Sequence, residues 1–177
     1  MDRYVIDVER LSAALLALED AIHWDPVTML DRAVQFERQA IKLGDELLAA
    51  RARLAQANMH MRAGDVPVAA RQIWKVHQWA VDNQAKQLTA RTHLVWANIH
   101  RHLGDAAQCL EHSLLAVEML DETATPFMEV WHRAKLADAL GLAGSMDAAR
   151  MRYAQSEELA IQLKLDDLVL SILNNWA

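Results

Sequence analysis

The sequence predicts an all-α chain built of repeated helix pairs, and three observations carry that expectation. Gly64, Gly104 and Gly144 stand forty residues apart, inside the windows AQANMHMRAGD, VWANIHRHLGD and LADALGLAGSM. A register of small residues travels with them: Ala57, Ala97 and Ala137 precede each glycine, and Ala69, Cys109 and Ala149 follow it. Apolar residues recur at i, i+3, i+4 and i+7, the spacing of one helix face, and no segment alternates with the period of two that a strand needs.

The same register fixes the elements in order. Leu48, Leu88, Met128 and Leu168 hold one column, and Ala40, Ala80 and Ala160 hold another that Leu120 interrupts. Ala177 falls where the column of Ala57, Ala97 and Ala137 requires a fourth small residue. The period therefore spans residues 1–177 as a single helical repeat domain, with units of about 10–49, 50–89, 90–129 and 130–169 and a truncated fifth at 170–177. Two helices per unit make about nine in all. Asp25-Pro26 and Thr125-Pro126 read as helix starts, a cap followed by proline at the first helical position. In the second unit Leu54, Ala57 and Met61 share one helix face, and Ala69, Ile73, Val76 and Ala80 share the next. Each repeat glycine supplies the left-handed residue that ends the first helix. Asp65, Asp105 or Ser145 then caps the second. Small residues sit where paired helices cross closely, and Ile73, Leu140 and Tyr153 fill the gaps between pairs. One pair cannot bury its own apolar face, so stability comes from stacking.

Composition narrows the function classes. With 177 residues, 53% of them apolar, the chain has material for a continuous core without disulfides or metal. A net charge of −6 and no basic cluster argue against nucleic acid as a partner. One cysteine excludes an internal disulfide and suits a reducing cytoplasm. Cys109 lies in the small-residue column, where it reads as packing. No signal peptide or membrane-spanning run is present in the sequence, and a membrane is not an expected partner.

The unit resembles a tetratricopeptide repeat, whose pattern is W-x2-L-G-x2-Y, then A-x3-F, then P. The fourth copy carries it best, with Leu136-Ala137, Leu140, Ala149 and Tyr153. The second gives Gln56-Ala57, His60, Ala69 and Ile73, and the third Trp96-Ala97, His100, Cys109 and Ser113. The closing proline is missing and the period is forty rather than thirty-four, which implies longer helices. The resemblance implies a right-handed solenoid of antiparallel helix pairs with a concave groove lined by the first helix of each pair. In this register the groove holds Arg51, Asn58 and Met61, then Arg91, Asn98 and Arg101, then Trp131, Lys135 and Asp138. In peptide-binding members of the family, asparagine at the place of Asn58 and Asn98 pairs with a ligand backbone, since one amide both donates and accepts. The carboxylate clamp of chaperone-binding members needs lysine four residues earlier, where this sequence has Leu54 and Leu94. Arg91, Arg101 and Lys135 are a looser cationic set for an acidic segment. Trp131 is the candidate aromatic anchor.

Other chemistry has little footing. The eight histidines include no HExxH and no i, i+4 pair, so no metal or other cofactor is expected. His60 and His100 occupy the tyrosine position of the repeat and read as packing. Trp74, Trp96 and Trp176 fall on apolar columns and read as core. No nucleophile elbow or phosphate loop occurs, so no enzyme activity is expected of these residues.

The last eleven residues form the first helix of a fifth unit with an uncovered stripe of Leu168, Leu170, Ile172, Leu173 and Trp176. Leu170, Leu173 and Trp176 are the expected self-association end, so a homodimer is among the expected partners. The stretch from Leu136 and the closing LxxLNNWA resemble repeats N-terminal to GGDEF diguanylate cyclase domains, and also repeats of multi-domain bacterial transcription regulators. The resemblance implies a cytoplasmic, non-catalytic module that binds a protein or peptide segment and serves as the regulatory part of a bacterial signalling protein. The alternatives are a pure oligomerisation scaffold and a ligand- or peptide-sensing module of a transcription regulator.

Overall fold

The computed structural model describes residues 3–20 and 25–176, with side chains from residue 7 to residue 175. Every regular element among them is an α-helix, and there are nine: α1 (Arg3–Glu19), α2 (Pro26–Leu43), α3 (Glu46–Arg62), α4 (Val66–Asp82), α5 (Lys86–His102), α6 (Ala106–Glu118), α7 (Pro126–Leu142), α8 (Met146–Gln162) and α9 (Asp166–Trp176). The protein is all-α, with helices packed in consecutive pairs, as the forty-residue register requires.

The turns explain why the helices stop where they do. Gly64, Gly104 and Gly144 have φ of 85°, 75° and 82°, in the left-handed region that disfavours a Cβ. The following residue then donates its N–H five residues back, Asp65 to His60, Asp105 to His100 and Ser145 to Leu140, each at 2.9 Å. These bonds satisfy carbonyls that the helix end leaves open. A second register, invisible in the glycine pattern, closes α2, α4 and α8, whereas α6 ends without a left-handed residue. Gly44, Gln84 and Lys164 are also left-handed, separated by one and then two repeat periods, although two of them carry side chains. Helix starts follow the caps. The Asp25, Asp45, Asp105 and Thr125 side chains accept from the N–H groups of Thr28, Leu48, Gln108 and Met128. Asp65 and Ser145 make no such bond, so their expected capping role is not filled.

Contacts divide the chain into two compact units, Met1–Leu88 and Thr89–Ala177. In the first, α1, α2 and α3 enclose Leu11, Leu15, Leu18, Met29, Ala33, Leu48, Ala52 and Met59. In the second, Ala97, Cys109 and Ala139 meet where α5, α6 and α7 converge. Among the described residues the small-residue columns are buried wherever they recur, and a Cβ placed on Gly141 would stand 3.8 Å from that of Ala149 at the α7–α8 crossing. The Cys109 thiol is buried, and burial pushes its pKa up, which fits packing. One core assignment is overturned. Trp74 is 61% exposed, because Ile73 and Val76 face inward and Trp74 turns to the outer side of α4. Trp96 is half-buried, and the Trp176 side chain and Ala177 lie outside the described residues.

Candidate functional site

In the second unit, α7 presents Trp131, Lys135 and Asp138 on one face, since four and three residues each advance the helix about one turn. Phe127, one turn earlier, stacks on Trp131 with ring centroids 6.0 Å apart. The Lys135 ammonium sits 4.5 Å from the centre of the Trp131 ring and 2.6 Å from Asp138 Oδ2. Tyr153 of α8 donates its hydroxyl to Asp138 Oδ1. Asp138 therefore accepts from a cation and a phenol at once, which fixes its carboxylate. Burial, the bond to Asp138 and that residue's charge together push the tyrosine pKa well above its ordinary value. The result is an aromatic ledge beside a neutralised polar row.

Helix α5 contributes the remaining polarity. Arg101 is exposed, has no ion pair among the described residues, and lies close enough to Tyr153 and Cys109 for its charge to act on both. Asn98, one turn earlier on the same helix face, is half-buried, and its amide has no hydrogen-bond partner among the described residues. Arg91 is directed differently: its Nε lies 3.2 Å from Met128 Sδ.

In the first unit Arg51 does not present a free cation. Its guanidinium grips Glu19 through two bonds of 3.0 and 2.7 Å and reaches Ser12 Oγ at 3.3 Å, and the Glu19 side chain is only 3% exposed. A fork-on-carboxylate pair of this kind is a strong tie between α1 and α3. Asn58 is half-buried with no hydrogen-bond partner among the described residues, while Met61 is buried. Leu54 and Leu94, which stand at the clamp position, are both buried.

Sequence reasoning missed two groups. His60 and His100 are equivalent residues, and each sits close to the carboxylate that begins the next helix, Asp65 at 3.7 Å and Asp105 at 3.6 Å. More unexpected is an imidazole cluster between α5 and α6. The Nδ1 atoms of His93 and His112 are 2.9 Å apart, and the His112 ring stacks on His100 and on Trp96 with centroids 5.3 and 6.2 Å apart. Only the spacing of His93, Trp96 and His100 at i, i+3 and i+7 could have hinted at it. Among the described residues no group of three His, Cys, Asp or Glu is arranged to hold a metal ion. No helix among them is long and apolar enough to cross a membrane. Of the expected self-association residues, Leu170 and Leu173 are exposed on α9.

Compared with protein-family models the chain matches none, and a search of curated proteins finds no relative.

Proposed function

We propose that this protein is a non-catalytic binding and assembly module whose second unit receives an extended segment of another protein. The observation that carries this reading is the Asn98 amide. It is half-buried, unbonded among the described residues, and on the same helix face as the exposed Arg101 guanidinium. A half-buried amide can donate to and accept from a peptide backbone at once, exchanging its bonds to water for two fixed bonds with a modest net gain. The Phe127–Trp131 ledge offers an apolar side chain of the segment a surface, and Arg101 favours an acidic residue beside it. The internal pairing of Lys135 with Asp138 leaves Arg101 as the charge that selects. The resemblance to repeats preceding GGDEF domains extends the proposal to a regulatory role in a bacterial signalling protein, with a diguanylate cyclase as the favoured output domain. A ligand-sensing role in a transcription regulator is the alternative output.

The test is selection from a displayed library of random linear peptides against the wild-type protein, followed by titration of the recovered peptides against Asn98→Ala, Arg101→Ala and Trp131→Ala. Recovered peptides should share an acidic residue near an apolar one, and Asn98→Ala should weaken them about tenfold, the loss of one buried hydrogen bond. Recovery of no peptide, or equal affinity for all four proteins, would refute the groove assignment.

A further inference from the structure

We propose that the cleft between α6, α7 and α8 binds a free α-amino acid with an apolar side chain, its carboxylate held by Arg133. The cleft lies within the second unit and uses none of Asn98, Arg101 and Trp131, so the two sites stand or fall separately.

The repeat itself shows what this place in the fold holds elsewhere. Two repeat periods earlier, Arg53 and Gln56 of α3 stand where α7 has Arg133 and Leu136, and Glu37 of α2 stands where α6 has Val117. In that copy Arg53 Nε donates to Glu37 Oε1 at 2.7 Å, and Gln56 Nε2 donates to Glu37 Oε2 at 2.6 Å. A carboxylate is thus clasped between the two helices. One period earlier, the residues equivalent to Arg133, Leu136 and Arg152 are His93, Trp96 and His112. These close on one another: the two Nδ1 atoms are 2.9 Å apart, and the Trp96 and His112 rings stack.

The α6–α7–α8 copy has neither filling. Val117 supplies no carboxylate, and a cavity of about 220 Å³ remains, lined in part by Val117, Arg133 and Arg152. Arg133 turns instead to its own helix, where Nη2 donates to Glu129 Oε1 at 3.0 Å. Its Nε, the atom equivalent to the one that grips Glu37, is buried without a hydrogen-bond partner among the described residues. An arriving carboxylate oxygen gains a charge-assisted bond there without displacing an existing one. Arg152 makes one side-chain bond among the described residues, a long one of 3.4 Å to Gln155.

The rest of the lining defines the guest. Leu114, Val117 and Leu136 offer it apolar surface, and Glu118 adds a carboxylate with no ion pair among the described residues. Glu129 balances Arg133, so the unmatched charges are those of Arg152 and Glu118. A simple carboxylate would leave this cleft with an excess negative charge, whereas a zwitterion leaves it neutral. At about 30 Å³ for each water the cavity has room for about seven, below the roughly 300 Å³ at which pockets for drug-sized ligands begin. An apolar α-amino acid combines the two charges, the apolar body and the small size. A residue inside a chain lacks the free ammonium.

Isothermal titration calorimetry of the full chain with leucine tests this, beside isocaproate and isoamylamine, which lack leucine's ammonium and carboxylate respectively. Leucine should bind one to one, and each analogue at least about tenfold more weakly. Arg133→Gln should weaken leucine by about tenfold or more. Val117→Glu restores the side chain that Glu37 provides in the earlier copy, so it should fill the cleft from within and abolish binding. Circular dichroism should show the helix content of both variants unchanged. No binding of leucine overturns the proposal. So does an analogue that binds as tightly as leucine, or leucine binding that survives either substitution in a folded protein.

Discussion

His132 gives the second unit a stability that should fade in mild acid. Its ring is fully enclosed in α7, with Nδ1 donating to the Met128 carbonyl at 2.8 Å and Nε2 sealed without a partner. Burial, reinforced by the charge of Arg91, lowers its pKa to about 3, against the backbone bond, which acts the other way. The folded protein therefore holds this imidazole neutral while the unfolded chain protonates it below its ordinary value near 6.5. The unfolded state binds the extra proton, so the stability is intact above pH 6.5 and drains away as pH falls towards 3. Each pH unit in that window is worth about 1.4 kcal/mol, so by pH 5 the loss from this one residue is about 2 kcal/mol. The perturbation that isolates it is His132→Leu. Ile172 occupies the equivalent position in α9 and is fully buried, so an aliphatic side chain suits the site. Urea unfolding at pH 7, 6 and 5 should show the wild type losing about 2 kcal/mol more than the variant across the series. Equal pH dependence in the two proteins would refute the argument, because it would mean that the ring already titrates near its ordinary value when folded.

Three further outcomes follow from the same structure. Lys164 pays for a left-handed φ of 57° that glycine adopts freely, so Lys164→Gly should stabilise slightly or be neutral, whereas Gly104→Ala, at φ 75°, should cost about 1 kcal/mol; thermal unfolding of both variants checks the pair. Arg51→Ala strands the Glu19 carboxylate at 3% exposure and should cost about 2 kcal/mol in chemical denaturation, and Glu19→Gln introduced into that variant should recover part of it. Ile73→Ala should cost about 3 kcal/mol by opening a cavity, whereas Trp74→Ala beside it should change stability by less than about 0.5 kcal/mol. Denaturant midpoints compare these two directly, and a larger loss at Trp74 would place that ring in the core after all.

The site was legible to an uneven degree. The α7 row could be read because Trp131, Lys135 and Asp138 share one helix face whatever lies beside them. That Lys135 is spent on Asp138 and on the Trp131 ring, and that Tyr153 reaches the same carboxylate from α8, depends on how two helices cross. The sequence carries no direct record of that. Arg51 makes the same point more sharply. Its place in the register marked it as a groove cation, but its partner Glu19 is thirty-two residues away and belongs to α1. Trp74 was assigned to the core because its helix is amphipathic, and a one-residue step, about 100° around the axis, decided between Ile73 and Trp74.

What the sequence determined alone is the order and spacing of the helices. Left-handed glycines, caps and apolar periods act over three to seven residues, and a forty-residue repetition multiplies their evidence. Burial of the Ala57, Ala97 and Ala137 column followed, since only small residues permit the close crossings. Only the tertiary structure decided which side chains meet across helices: the His93–His112 contact, the Tyr153–Asp138 bond, the Arg51–Glu19 pair and the burial of Leu168 and Ile172, which the sequence placed in an uncovered stripe. Those depend on distances between segments far apart in the chain. Such distances arise from the packing of whole helices, where a rotation of a fraction of a turn exchanges one neighbour for another.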